Sequence, residues 1–114
     1  MITPVSLSSF VGEPFVLKLT LREEDGSIPT GLGTASFIFA VGSRAETAAI
    51  ASFTSHTTVV DEADGRVDVV IPAADLDAAI SPNRSYSYAF WVARSGSENV
   101  YLHGTLERRP VPHP

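Results

Sequence analysis

The sequence contains no cysteine. That removes disulfide staples, thiolate zinc sites and a cysteine nucleophile together, and it leaves the redox compartment open. Basic residues are scarce, 8 against 13 acidic ones, for a formal net charge of −5. A domain that grips nucleic acid through its phosphates is ordinarily basic, and here the bases are dispersed apart from Arg108-Arg109, so no nucleic-acid partner is expected. No apolar run approaches the roughly 20 residues that span a bilayer. Met1-Ile-Thr-Pro4 lacks the charged region and apolar stretch of a secretory signal. No membrane partner is expected, and the chain is expected to be made and kept in the cytoplasm unless it leaves within a larger assembly. Internal repeats, low-complexity tracts and heptads are also missing.

What is present is a globular composition, with 44% apolar and 18% charged residues over 114 positions. That length suits one domain, 1–114, able to bury roughly two thirds of its unfolded surface around one modest core. Strand patterns dominate. In Pro14–Arg22, Phe15, Leu17, Leu19 and Leu21 alternate with Lys18, Thr20 and Arg22, the period of a strand with one face in a core and one in water. Glu23-Glu-Asp-Gly-Ser27 ends it, with Gly26 suited to a positive φ. Thr34–Val41 is almost continuously apolar, as expected of a central strand covered on both sides. Ala48–Phe53 and Thr57–Val60 read as two edge strands, although Ala45–Ile50 also fits a helical turn.

Asp61–Gly65 reads as a turn, and Arg66–Ile71 as a strand burying Val67, Val69 and Ile71. Pro72–Ile80 carries helix formers, a proline near the first turn and Leu76 four residues before Ile80, which predicts a short helical turn stopped by Ser81-Pro-Asn83. Ser85–Ala93 gives the longest alternation, with Tyr86, Tyr88, Phe90 and Val92 on one face and Ser87, Ala89, Trp91 and Ala93 on the other. Ser95–Glu98 reverses the chain. Asn99–Glu107 then places Leu102, Gly104 and Leu106 opposite Tyr101, His103 and Thr105. Three prolines from Pro110 keep the tail out of any central strand. About seven short strands at roughly 10-residue spacing predict an all-β sandwich, with a small closed barrel as the alternative.

Signals for chemistry are weak. The acidic turn Asp61, Glu62, Asp64 could offer oxygens to calcium but lacks the ligand spacing of an EF-hand loop, and Glu23, Glu24, Asp25 reads as a solvated loop. His56, His103 and His113 lie far apart with no metal-ligand or triad spacing. The serines form no Gly-x-Ser-x-Gly elbow, and the glycine turns at Gly31-Leu-Gly33 and Gly42-Ser43 do not run into a helix that would cradle phosphate. No catalytic residue, metal or cofactor is expected. Tyr86, Tyr88, Phe90 and Trp91 could together stack a sugar; the favoured reading puts the alternate members in the core and only Trp91 outside, where Ala89 and Ala93 flank it in a small apolar strip suited to a protein contact.

The order of motifs over residues 11–108 resembles a family of small immunoglobulin-like virion proteins of tailed bacteriophages. It runs from Val11-Gly-Glu-Pro-Phe-Val-Leu-Lys-Leu-Thr-Leu, through Asp25-Gly-Ser-Ile-Pro and Thr30-Gly-Leu-Gly, to Asp64-Gly-Arg-Val-Asp-Val-Val-Ile and the helical turn at Leu76. Ser85-Tyr-Ser-Tyr-Ala-Phe-Trp-Val and Leu102-His-Gly-Thr-Leu close the series with the family's Tyr-x-Tyr hairpin and its late glycine. One turn departs from the pattern, Pro29-Thr-Gly-Leu-Gly standing where members carry Asp-Leu-Thr-Gly. The resemblance implies an immunoglobulin-like antiparallel sandwich and a non-enzymatic structural role in multiple copies. Head decoration or tail and baseplate attachment would be such roles, with capsid, connector or tail proteins as partners and the virion as location. Trp91, Tyr101, Arg108 and Arg109 are the candidate contact residues, and 1–10 and 108–114 the candidate extended arms. A carbohydrate- or receptor-binding module of the same fold is the competing reading, and a small enzyme or enzyme inhibitor a further one.

Overall fold

The computed structural model describes residues 6–10, 12–43, 49–80, 84–94 and 97–109, with backbone alone for Ser43, Ala49, Arg84 and Arg109. Among these are eight strands: β1 Leu7–Phe10, β2 Phe15–Thr20, β3 Ser36–Ser43, β4 Ala49–Phe53, β5 Thr57–Asp61, β6 Arg66–Ile71, β7 Arg84–Arg94 and β8 Ser97–Arg109. One helix, α1 Ala73–Ala79, joins β6 to β7, and short 3₁₀ turns occupy Leu32–Thr34 and Glu62–Asp64. The strands form a five-stranded sheet, β1-β8-β7-β3-β4, and a three-stranded sheet, β2-β6-β5. All pairings are antiparallel except β1 with β8. This is the immunoglobulin-like sandwich, with β4 as the added strand of the variable type and β1 beside the last strand instead of the second. No described helix is long and apolar enough to cross a membrane.

Alternation decides which side of each strand is inside. In β6, Val67, Val69 and Ile71 are wholly buried while Val70 between them is 44% exposed. In β7, Tyr86, Tyr88, Phe90 and Val92 are buried, and Ser87, Ala89, Trp91 and Ala93 are partly exposed. A shift of one residue in either strand would put its apolar set in water, which is why the registers Leu17↔Val69 and Phe39↔Phe90 are strongly specified. The two inner faces meet at Phe39. Its ring lies 5.5 Å from Phe15 of the opposite sheet and 5.6 Å from Tyr88 of its own, while Phe37 stacks on Phe90 at 5.9 Å.

Both ends of the sandwich are plugged from loops. Leu76 and Ile80 of the α1 segment are buried before β7 starts, and Leu32 is buried before β3, whose start pairs with the end of β7. Pro72 sits at the helix N-cap, where its missing N–H costs nothing, and Ile80 N–H donates to Leu76 O at 3.0 Å to close the last turn. The Asp61–Gly65 turn needs glycine at its end. Gly65 has φ 71°, and a Cβ there would lie 2.7 Å from the Leu21 carbonyl oxygen.

The segment 45–60, where strand and helix competed, holds strands at Ala49–Phe53 and Thr57–Asp61. Two expectations are corrected. The arms 1–10 and 108–114 are not arms where they are described: Leu7↔Leu106 through Phe10↔Arg109 pair as sheet, because β8 extends two residues beyond Glu107 and offers a free edge. Residues 1–5 and 110–114, the tail prolines and His113 among them, lie outside the described residues, as does the Ser81-Pro-Asn83 stop. Second, β3 is central in its sheet but covered on one side only by described residues: Phe37, Phe39 and Val41 are buried, Ile38 and Ala40 partly exposed.

Phe39→Ala is expected to cost about 3–5 kcal/mol in urea unfolding, since its ring bridges the sheets and leaves a void that neither can close. Burial also raises the Tyr88 phenol to about 12. The unfolded phenol, with its ordinary pKa near 10, loses its proton first. Stability is therefore complete below pH 10 and falls as pH rises to about 12, by roughly 2–3 kcal/mol from this residue. Urea midpoints of wild type and Tyr88→Phe should diverge between pH 8 and pH 11, with the variant losing less.

Candidate functional site

The outer faces of the two sheets are built differently. On β2-β6-β5 the cross-strand rows include Val16↔Val70, Lys18↔Asp68 and Thr20↔Arg66. Exposed valines occur there, Val16 at 51% beside Val70 at 44%, with Val60 at 55% on the far side of the Lys18–Asp68 row. That is a solvated face with scattered apolar residues. The outer face of the five-stranded sheet is otherwise. Its rows, read from β3 through β7 to β8, are Ser36–Ala93–Glu98, Ile38–Trp91–Val100, Ala40–Ala89–His103 and Gly42–Ser87–Thr105, followed by Ser85–Glu107. Ser52 of β4 extends the Ala40 row.

Within those rows the only Asp, Glu, Lys or Arg side chains are Glu98 and Glu107, at opposite ends of β8. The middle carries small or uncharged groups around one indole. Ser87 is itself turned inward to the sheet, its hydroxyl donating to Gly42 O at 3.3 Å, which keeps that row low. Charge depletion around a partly exposed Trp is the composition of an interface centre, and the small neighbours leave room for a partner to approach closely. Trp91 thus stands where its alternation placed it. The four-aromatic stacking platform does not form, because Tyr86, Tyr88 and Phe90 belong to the core.

The other candidate contacts fare differently. Arg108 is corrected from a surface contact to an internal tie. It is 1% exposed, donates to Phe10 O at 2.9 Å and Ser9 Oγ at 3.2 Å, and pairs with the Asp77 carboxylate of α1. Its position in β8 alternates with Glu107 and faces inward, so the side chain can only reach the buried Ser9 and the helix. Burial lowers its pKa from the ordinary guanidinium value, and the group stays charged there. Its Nε finds no hydrogen-bond partner among the described residues. Arg109 is placed by its backbone alone, opposite Phe10.

Tyr101 is the extra residue of a bulge, since Phe90 pairs with Leu102 and Trp91 with Val100. The bulge turns it away from the outer face. Its hydroxyl donates to Glu23 and accepts from Arg94 Nη2 at 2.7 Å, while Arg94 Nη1 reaches Thr30 O at 3.0 Å. Burial, then the hydrogen bond to Glu23, raises the Tyr101 pKa. A shallow cleft of about 460 Å³ lies beside it, lined by Arg22, Glu23, Glu24, Asp25, Asn99, Val100 and Tyr101. Its acids serve the local fold: Asp25 accepts from Ser27 Oγ at 2.6 Å and Ser27 N–H at 2.9 Å, which lowers its pKa.

The second acidic loop is likewise occupied. Asp61 accepts from Asp64 N–H at 3.3 Å, Glu62 from Gly33 N–H at 3.1 Å, and Arg22 binds Asp64 O at 2.7 Å. No group of three or more His, Asp or Glu among the described residues could hold a metal ion. His56 Nε2 lies 3.4 Å from Asp75 Oδ2 near α1, whereas His103 lies on the outer face of the five-stranded sheet, so the two do not converge. Sequence reasoning missed Ile38 as the partner of Trp91, and Ala40 and Gly42 as members of the next rows. Their apolar run concealed a period-two split between Phe37, Phe39 and Val41 inward and Ile38 and Ala40 outward. It also missed Asp77 and Ser9, because a salt bridge between a strand and a helix leaves no local pattern. No protein-family model matches the chain, and no curated protein is similar enough to count as a relative.

Asp77→Asn is expected to cost about 2 kcal/mol, below the 3–5 typical of a fully buried pair because Asp77 stays about a third exposed. The loss should localise: hydrogen exchange of the Leu7–Phe10 amides should rise by tenfold or more while β6 amides follow the global change. Uniform acceleration across both strands would refute the tie.

Proposed function

We propose that the chain is a non-catalytic docking module, a structural component of a tailed-phage virion that assembles, copy to copy or onto its lattice, through the outer face of its five-stranded sheet. One observation carries the reading. β3 has the apolar composition of a strand covered on both sides, and the face it shares with β7 presents Trp91 among Ala40, Ala89 and Ala93 with no charge between the two terminal glutamates. Such a face is completed by a partner. The virion assignment draws its support from the motif order over residues 11–108, whose implied immunoglobulin-like strand arrangement is the one the chain adopts. A repeated lattice suits a surface of this modest size, because many weak contacts on a symmetric particle add up to firm attachment. Head decoration and tail or baseplate attachment are both compatible with it.

The test is particle association. Gradient-purified particles from cells producing the chain should contain it at a fixed ratio to capsid or tail protein. Trp91→Ala should lower occupancy by about thirtyfold, the effect of losing a 2 kcal/mol contact. Recovery of the protein only in the particle-free fraction would defeat the virion reading. Turnover of a substrate that depended on His56 or His103 would defeat the non-catalytic one.

A further inference from the structure

We infer that the occupant of this face is a second copy of the chain, packed sheet to sheet about a two-fold axis that crosses the strands at the Ala40–Ala89–His103 row. The inference rests on the reading of that face as the docking surface and adds its partner. A two-fold contact requires one patch to complement itself. The rows supply this. Rotation about an axis across the strands lays β7 on β7 and exchanges rows equally far from the axis. The raised row Ile38–Trp91–Val100 of one copy then falls on the low row Gly42–Ser87–Thr105 of the other, and the reverse. The middle row meets itself through the small side chains of Ala40 and Ala89, which allow close approach. Ser87 gives its hydroxyl to Gly42 O within its own sheet, so the floor under the indole is low and already hydrogen-bonded.

Charge favours the same choice. Copies carrying a formal net charge of −5 repel one another in most orientations, and the five-stranded face is the broad surface whose centre lacks that repulsion. Four strands at about 4.8 Å spacing and nine residues at about 3.4 Å give roughly 500–600 Å² per copy. A pair would bury about 1,100 Å², at the lower limit for a specific interface, so the dimer should be a weak one in the micromolar range. Each copy carries a formal net charge of −5, so the dimer should strengthen with salt, and Glu98→Lys, at the rim of the face, should tighten it by lowering that charge.

Sedimentation velocity over 1–500 µM is expected to show reversible dimerisation. Trp91→Ala and Ala89→Glu should each weaken it at least tenfold while keeping wild-type circular dichroism and unfolding midpoints, and Glu98→Lys should strengthen it several-fold at low salt. Because the chain has no cysteine, single-cysteine variants report the geometry directly. With a bis-maleimide reaching about 10 Å, the spacing of packed sheets, Ala89→Cys should cross-link to dimer and Thr20→Cys, on the outer face of the other sheet, should not. A protein monomeric at 500 µM, equal cross-linking from both positions, or weakening by Glu98→Lys would overturn the inference. The two readings fail separately. A monomer that still needs Trp91 for particle attachment keeps the docking surface and rejects the second copy; a Trp91-dependent dimer absent from particles keeps the second copy and rejects the virion role.

Discussion

The packing of Phe39 between Phe15 and Tyr88 is the contact on which the rest of the structure depends. It is made by the central strands of the larger sheet against an edge strand of the smaller one, and it sets the separation of the two layers. Once that separation is filled by Phe39, Phe90, Val67, Val69 and Ile71, every strand must keep its phase, since each side chain between two inward ones is forced outward. The outer faces follow from the inner ones. Trp91 is outside because Phe90 and Val92 are inside, and Ala40 is outside because Phe39 and Val41 are inside. No disulfide contributes to this, so the core and its two loop plugs, Leu76 with Ile80 and Leu32, must close the sandwich by burial alone.

Charges are arranged so that one broad face is spared. Arg22 is committed to the Asp64 turn, Arg94 to Tyr101 and Thr30, and Arg108 to Asp77 and β1. Several acids cap turns or accept from backbone amides. The Arg108 tie matters most to the architecture. A short parallel strand of four residues has little pairing energy of its own, and a guanidinium that binds Ser9, the Phe10 carbonyl and α1 at once holds β1 in place. With β1 seated, the edge of β8 is covered and cannot recruit another strand.

Much of the fold was legible in the sequence, for a definite reason. Phe15 to Leu21, Val67 to Ile71 and Tyr86 to Val92 place a large apolar residue at every second position, and a half-buried strand is the one element whose period can be read without knowing its neighbours. The Pro72–Ile80 turn declared itself through Leu76 and Ile80 in the same way. Legibility ended where information is not local. Leu7–Phe10 was read as an arm because pairing with residues a hundred positions later is invisible in four residues. Arg108 was read as exposed because an inward charge is recognisable only by its partner, Asp77. Tyr101 was given the wrong surroundings because a bulge at Phe90/Trp91 changes the phase of β8 midway. The candidate face was half legible: Trp91 and its alanine neighbours stood out in β7, but the matching rows of β3 were hidden in a run that reads as buried on both sides.

On the proposal made above, the outer face of the five-stranded sheet is a surface made to be covered by protein. Trp91 is the only tryptophan in the chain, so its fluorescence reports on that face without labelling. Acrylamide quenching of the dilute protein, compared with the same protein concentrated or bound to particles, measures the cover directly. On association the quenching constant should fall severalfold and the emission should move to shorter wavelength. Association that left Trp91 as open to acrylamide as in the dilute chain would place the contact elsewhere and contradict the proposal.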